Sequence, residues 1–285
     1  MGSVSRPITE FCLDLYNKLN RNAENTNIAF SPMSISVALA LVHLGAKNNT
    51  AAQIEEVSIN EMCSMSGKLQ AEQELDLSLR AQPQRWSQNQ ARRDSLPSHR
   101  YVLGWGKKPV QMMYQKGMFK FGYIEEMGAQ VLELPYAQKS LSMIILLPGD
   151  MIESTMTYEN LMLWASSEHM FETRVEVYLP RFKLESTFNL NEVLQEMGMT
   201  DIFNESKADL SAMSFAKSLV LSDVVHKTYV EVNEEGTIAA AATGAVIVNR
   251  SLPLTEVFMA DHPFLFFIRH NPTNTILFFG KLCSP

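Results

Sequence analysis

Residues 234–251, Glu-Glu-Gly-Thr-Ile-Ala-Ala-Ala-Ala-Thr-Gly-Ala-Val-Ile-Val-Asn-Arg-Ser, constrain the fold of this chain more than any other stretch. A strand-like segment, Leu219 to Val232, feeds it. Four consecutive alanines favour helix by propensity. Here, however, Gly236 precedes them, Thr243-Gly244 follows, and no apolar stripe continues the pattern. The stretch therefore reads as an exposed, mobile loop. It is also a loop able to become a strand. When extended, Thr237, Ala239, Ala241 and Thr243 share one face, and side chains this small enter between existing strands without forcing the packing apart. The competing reading is an ordinary alanine-rich linker.

A chain of 285 residues, 46% hydrophobic, can bury a sizeable core in one or two domains. Its formal net charge of −7 leaves no basic stripe to release counterions, which argues against a nucleic-acid partner. Arg92-Arg93 and Lys107-Lys108 are too short to change that. No apolar run approaches the roughly 20 residues of a membrane helix. The N-terminal residues lack the charged-then-apolar layout of a signal peptide, and Arg6 spoils a myristoylation pattern after Gly2. Three irregularly spaced cysteines, Cys12, Cys63 and Cys283, suggest free thiols in a reducing compartment. The expected location is cytoplasmic, with release by an unconventional route as an extension. Asn48-Asn49-Thr50, Asn204-Glu205-Ser206 and Asn249-Arg250-Ser251 match the glycosylation pattern, but without a secretory route they read as chance.

Along the chain, Ile8, Phe11, Cys12, Leu15 and Leu19 recur at helical spacing and predict a helix from about Thr9 to Asn20. A short strand, Ile28 to Phe30, leads to Ser31-Pro32, an N-cap with proline just inside the helix. That helix should run to Leu44, stop at Gly45 and be buried on most sides. Thr50 should cap a short helix, Ala51 to Val57. Residues 58–108 are rich in Gln, Ser and Arg with no clear period, and read as disordered apart from a weak helix over Glu72 to Arg80. After Pro109 the pattern predicts strands at Phe119–Tyr123, Ala129–Leu134 and Leu141–Leu147, the last buried on both faces. A helix follows at Tyr158–Trp164. Arg174 to Leu179 alternates, and Phe182 to Leu184 extends it past Pro180. Leu190 to Met197 reads as a helix closed by Gly198. After the loop come strands at Phe264–Arg269 and Thr275–Phe279. The class is α+β, antiparallel-rich.

Several segments, taken with the loop, resemble the serpins, protease inhibitors that spring shut on their target. Asn27-Ile-Ala-Phe-Ser-Pro-Met-Ser34 resembles the family's shutter segment, with Ser31 and Ser34 at shutter positions. His226 resembles the shutter histidine. Leu179-Pro-Arg-Phe-Lys183, Asp261-His-Pro-Phe-Leu-Phe-Phe-Ile268 and Ile276-Leu-Phe-Phe-Gly280 are similar to its core strands. The N-terminus and the Ser284-Pro285 ending look like the ovalbumin-type, intracellular branch. The resemblance covers 8–57 and 110–285 of one domain and implies a serpin fold with an exposed reactive-centre loop over 234–256. Between those parts, 58–108 matches nothing in the family, so the large sheet, sheet A, should be incomplete.

The resemblance further implies a hinge at Glu234, Glu235, Gly236, Thr237, Ala239, Ala240, Ala241 and Ala242. Fourteen residues on from Gly236, the family register puts the bait bond at Arg250-Ser251. A guanidinium there suits the acidic specificity pocket of a trypsin-like serine protease, the expected partner. Thr237 favours insertion, and Ile238 should face outward. The implied protein is a monomer with no cofactor, no metal, no nucleic-acid or membrane partner, and no enzyme activity. A second reading stays open, that of a chain merely cleaved as a substrate. No Gly-x-Ser-x-Gly, His-Glu-x-x-His or P-loop is present, and His226 reads as a satisfied strand residue rather than a catalytic base.

Overall fold

The computed structural model describes residues 5–21, 25–58, 110–136, 139–148, 155–166, 168–214, 219–233 and 255–285. Contacts divide the chain into two units interleaved along the sequence: 1–79, 184–229 and 268–280 in the first, 80–183, 230–267 and 281–285 in the second.

The first unit is built on helices. Helix α1 (Ser5–Arg21) buries Ile8, Phe11, Cys12, Leu15 and Tyr16, one face at helical spacing. Tyr16 meets Phe279 edge to face at 5.1 Å, and Phe30 of strand β1 (Ile28–Phe30) lies 6.0 Å from the same ring. The helix begins at Ser5, not Thr9. Thr9 is inside it, its hydroxyl donating to the Ser5 carbonyl at 2.7 Å, and Ser5 Oγ donates to the Asn274 carbonyl at 2.6 Å. Helix α2 (Pro32–His43) is capped by Ser31 as its sequence predicts. It is not buried on most sides, since Leu41 and Leu44 are 61% and 55% exposed. Helix α3 (Asn48–Ser58) starts two residues before the expected cap. Thr50 is therefore internal and buried, its hydroxyl accepting from the Asp209 N–H at 3.0 Å.

The second unit is a sheet. Strand β2 (Met112–Ile124) is longer than expected because it pairs on both sides, antiparallel to β3 (Ala129–Pro135) and to β5 (Phe171–Pro180). Strand β4 (Leu141–Leu147) pairs with β3 and is buried at every residue, as a continuous apolar run should be. Helix α4 (Tyr158–Trp164) is capped by Thr157. A strand the sequence reading did not find, β8 (Glu256–Met259), lies parallel to β5 at the sheet edge. Strands β9 (Phe264–His270) and β10 (Thr275–Leu282) run through both units, and β10 lies beside β1.

Phe182 to Leu184 does not extend β5. The chain leaves the first sheet after Pro180, which has no N–H to donate, and β6 (Phe182–Asn189) pairs with β7 (Val225–Val232) in a separate two-stranded sheet. Leu219 to Val224 is not strand either. The Leu221 N–H donates to the Ile202 carbonyl at 3.0 Å and the Val224 N–H to Asn191 Oδ1 at 2.8 Å, so no ladder forms there. Asn191 opens helix α5 (Asn191–Met197), which Gly198 closes at φ 122°.

Candidate functional site

β7 ends at Val232, two residues before the alanine-rich stretch, and β8 begins at Glu256 after it. These strands are the two feet of residues 234–254. The hinge residues Glu234 to Ala242 and the bond Arg250-Ser251 lie outside the described residues.

The described part of the site is the cluster at the base of β7. Ser31, in extended backbone at φ −107°, receives the Ser34 N–H on its Oγ at 3.1 Å. That leaves the N–H of Ser31 itself, which donates to His226 Nε2 at 3.0 Å. The Thr228 hydroxyl lies 2.6 Å from the same nitrogen. A backbone N–H can only donate, so Nε2 is unprotonated and the proton of the neutral ring sits on Nδ1. The threonine hydroxyl is then a second donor. Burial pushes the His226 pKa down, which favours the same neutral form. Strand β6 adds a related contact, Ser186 Oγ accepting from the Ala29 N–H at 3.2 Å.

The structure thus brings together Ser31, Ser34 and His226, the three residues expected at the shutter from the resemblance. Ser34 takes part through its backbone. His226 is no catalytic base toward Ser31, because its nitrogen meets the serine's backbone N–H while Ser31 Oγ faces Ser34. Sequence reasoning missed Thr228 and Ser186. The signal for Thr228 was available: two residues beyond His226 on one strand, it shares that face. Cys12 is a buried free thiol pushed upward in pKa by burial, Cys283 is also free, and Cys63 lies outside the described residues. Among the described residues no His, Cys, Asp and Glu cluster could hold a metal, and no helix is long and apolar enough to cross a membrane.

At the other foot, Tyr123 Oη donates to Glu256 Oε2 at 3.0 Å, and Lys116 of β2 pairs with Glu176 of β5 at 2.6 Å.

The described part of the site is thus a serine–histidine contact at the base of β7 and a tyrosine–carboxylate contact beside β8, with the alanine-rich stretch between these two strands in the sequence. The family profile for serpin (serine protease inhibitor) matches residues 6–96 and 85–285, and the chain belongs to that family. Its relatives are of the ovalbumin type. Human serpin B11 is 36% identical over an aligned span of 392 residues, covering 100% of both chains. Human serpin B8 is 52% identical over 184 residues, 63% of this chain and 49% of its own. The structure of uncleaved ovalbumin matches with a TM-score of 0.80 at 30% identity, covering 100% of both chains. The profile carries the family likeness past residue 57, to 96, and back from 110 to 85, so 58–108 is not wholly foreign to the family. The 392-residue span aligned with serpin B11 is longer than this chain's 285 residues.

Proposed function

We propose that the chain is a suicide substrate for a trypsin-like serine protease, attacked at Arg250-Ser251, with a cytoplasmic encounter suited to its ovalbumin-type relatives. The protease serine oxygen adds to the Arg250 carbonyl, the bond to Ser251 breaks, and the Ser251 amine leaves with a proton. Arg250 is then held as an ester. Residues 237–248, freed at that end, extend along β7 before water hydrolyses the ester. The observation that carries this reading is β7 itself. It leads directly into the hinge, and among the described residues its edge away from β6 has no strand partner. The Arg250 guanidinium contributes about 1.5–3 kcal/mol through a charge-assisted hydrogen bond, enough to select basic over apolar sites.

One observation favours the second reading, cleavage without inhibition. Among the described residues the receiving sheet holds only β6 and β7, so an inserted loop gains a ladder on one side alone. Mixing the chain with trypsin and running a denaturing gel separates the two. A stable covalent complex supports inhibition; a chain cut after Arg250 with no complex supports the substrate reading. Arg250→Ala should abolish either product, and unchanged cleavage would sink the bait assignment.

A further inference from the structure

β8 is a short edge strand of its sheet. It has four residues, lies at the edge and pairs parallel to β5 over four positions, whereas β2 and β5 pair antiparallel over ten. Parallel pairing is less stable per residue, and an edge strand has one ladder. Val257 is 45% exposed, so the apolar hold on the strand comes chiefly from Phe258, which is fully buried. The first residue of β8 is Glu256. It lines an open cleft of about 530 Å³ that contains three more carboxylates, Glu125, Glu126 and Glu168. The Glu256 carboxylate is held by one described side-chain hydrogen bond, from Tyr123 Oη to Glu256 Oε2 at 3.0 Å. Burial first, and then the Glu256 carboxylate, push the Tyr123 pKa upward, so the phenol remains a donor. Gln130, opposite Tyr123 in the β2–β3 register, reaches the Val257 carbonyl at 3.5 Å, near the outer limit of a hydrogen bond.

We infer that Tyr123 is a positioning residue, a latch that holds Glu256 and so fixes the C-terminal foot of the bait loop. Glu256 follows Arg250 by six residues. Opening of β8 lengthens the free loop and slackens the segment presented to a protease. Only this last consequence rests on the proposed function; the latch itself rests on the described strands.

Hydrogen exchange on the full chain tests it. Tyr123→Phe keeps the ring and removes the donor, and exchange of the amides at 257–260 should quicken roughly two- to tenfold, the value of one lost hydrogen bond. Glu256→Ala should do the same, whereas Glu256→Gln, which keeps an acceptor oxygen, should stay within about twofold of the parent. The double variant Tyr123→Phe/Glu256→Ala should be no faster than either single one. Amides of β3 serve as reference and should not change. Parent-like exchange in Tyr123→Phe, effects that multiply in the double variant, or equal quickening in β3 would each overturn the latch. With trypsin, Tyr123→Phe should shift the products from covalent complex toward cleaved chain. If the parent chain is not cut after Arg250 at all, the bait reading fails while the exchange result still decides the latch.

Discussion

His226 satisfies a backbone donor that the turn into α2 would otherwise leave without a partner. Ser31 is 6% exposed, so its N–H is beyond easy reach of water. Removing the acceptor by His226→Ala should cost about 1–3 kcal/mol, the penalty of an unsatisfied buried donor, read as a lower urea midpoint with unchanged slope. Thr228→Val loses only the second donor and should cost about 1 kcal/mol. The pH dependence has a fixed sign. The folded-state pKa of His226 lies below its unfolded value near 6.5. Between the two, the unfolded chain binds the extra proton, so stability rises with pH through that window. The contribution is fully present above about pH 6.5 and is lost as pH falls toward the folded pKa. Urea titrations at several pH values should show this slope, and His226→Gln should flatten it. Two glycines are set by close approach instead. A Cβ at Gly122 would lie 2.0 Å from the His169 backbone oxygen, whereas one at Gly45 would meet Met213 Cβ and Cε at 2.7 Å. Gly122→Ala is expected to be the worse change. Gly45→Ala should cost about 1–3 kcal/mol. Met213→Ala removes the Cε contact but keeps the Cβ at 2.7 Å, so it should recover only part of that cost, whereas no side-chain trim touches the backbone contact of Gly122→Ala.

Elements were legible where a local rule decided them. Ser31-Pro32 marked the start of α2 because capping and proline chemistry act within one turn, and Ser31→Ala should cost about 0.5–2 kcal/mol in thermal or urea unfolding. That substitution leaves the backbone N–H in place, so its effect should add to that of Thr228→Val. β4 was legible because six apolar residues of seven leave no polar face, and the remaining one, Ser142, spends its hydroxyl on Glu133. Elements went unread where a distant partner decided them. β8 is four residues of mixed character, Glu-Val-Phe-Met, and is a strand because β5 offers it an edge. Leu219 to Val224 has the composition of strand, yet Ile202 and Asn191 take its hydrogen bonds first. Between Arg174 and Leu184 only Pro180 marks the break, and a proline alone does not say that two sheets share the segment. The change of sheet is visible only in its partners, the Arg181 N–H donating to the Gln111 carbonyl and Phe182 packing on Phe264 and Phe266. The shutter residues were found by resemblance, and only the structure supplied the reason for their placement.

The loop and the sheet proposed to receive it among the described residues are out of proportion. Residues 233–255 separate the end of β7 from the start of β8, and β6 and β7 make up the receiving sheet among the described residues. A strand entering the middle of a sheet satisfies its backbone on both sides and buries alternate side chains between layers. A strand added along β7 alone forms one ladder. Its inward residues, Thr237, Ala239, Ala241 and Thr243, are small and bury little apolar surface. Each hydrogen bond in that ladder nets about 1 kcal/mol, while ordering each loop residue costs about 1–2 kcal/mol of backbone entropy. The two nearly cancel. Cleavage after Arg250 should therefore leave the thermal midpoint within a few degrees of that of the intact chain, since about 1 kcal/mol corresponds to roughly 2–4 °C in a chain of this size. Calorimetry of the intact and trypsin-cut chain measures it directly. A rise of some tens of degrees would mean that the loop finds strands on both sides, and would move the balance from substrate to inhibitor.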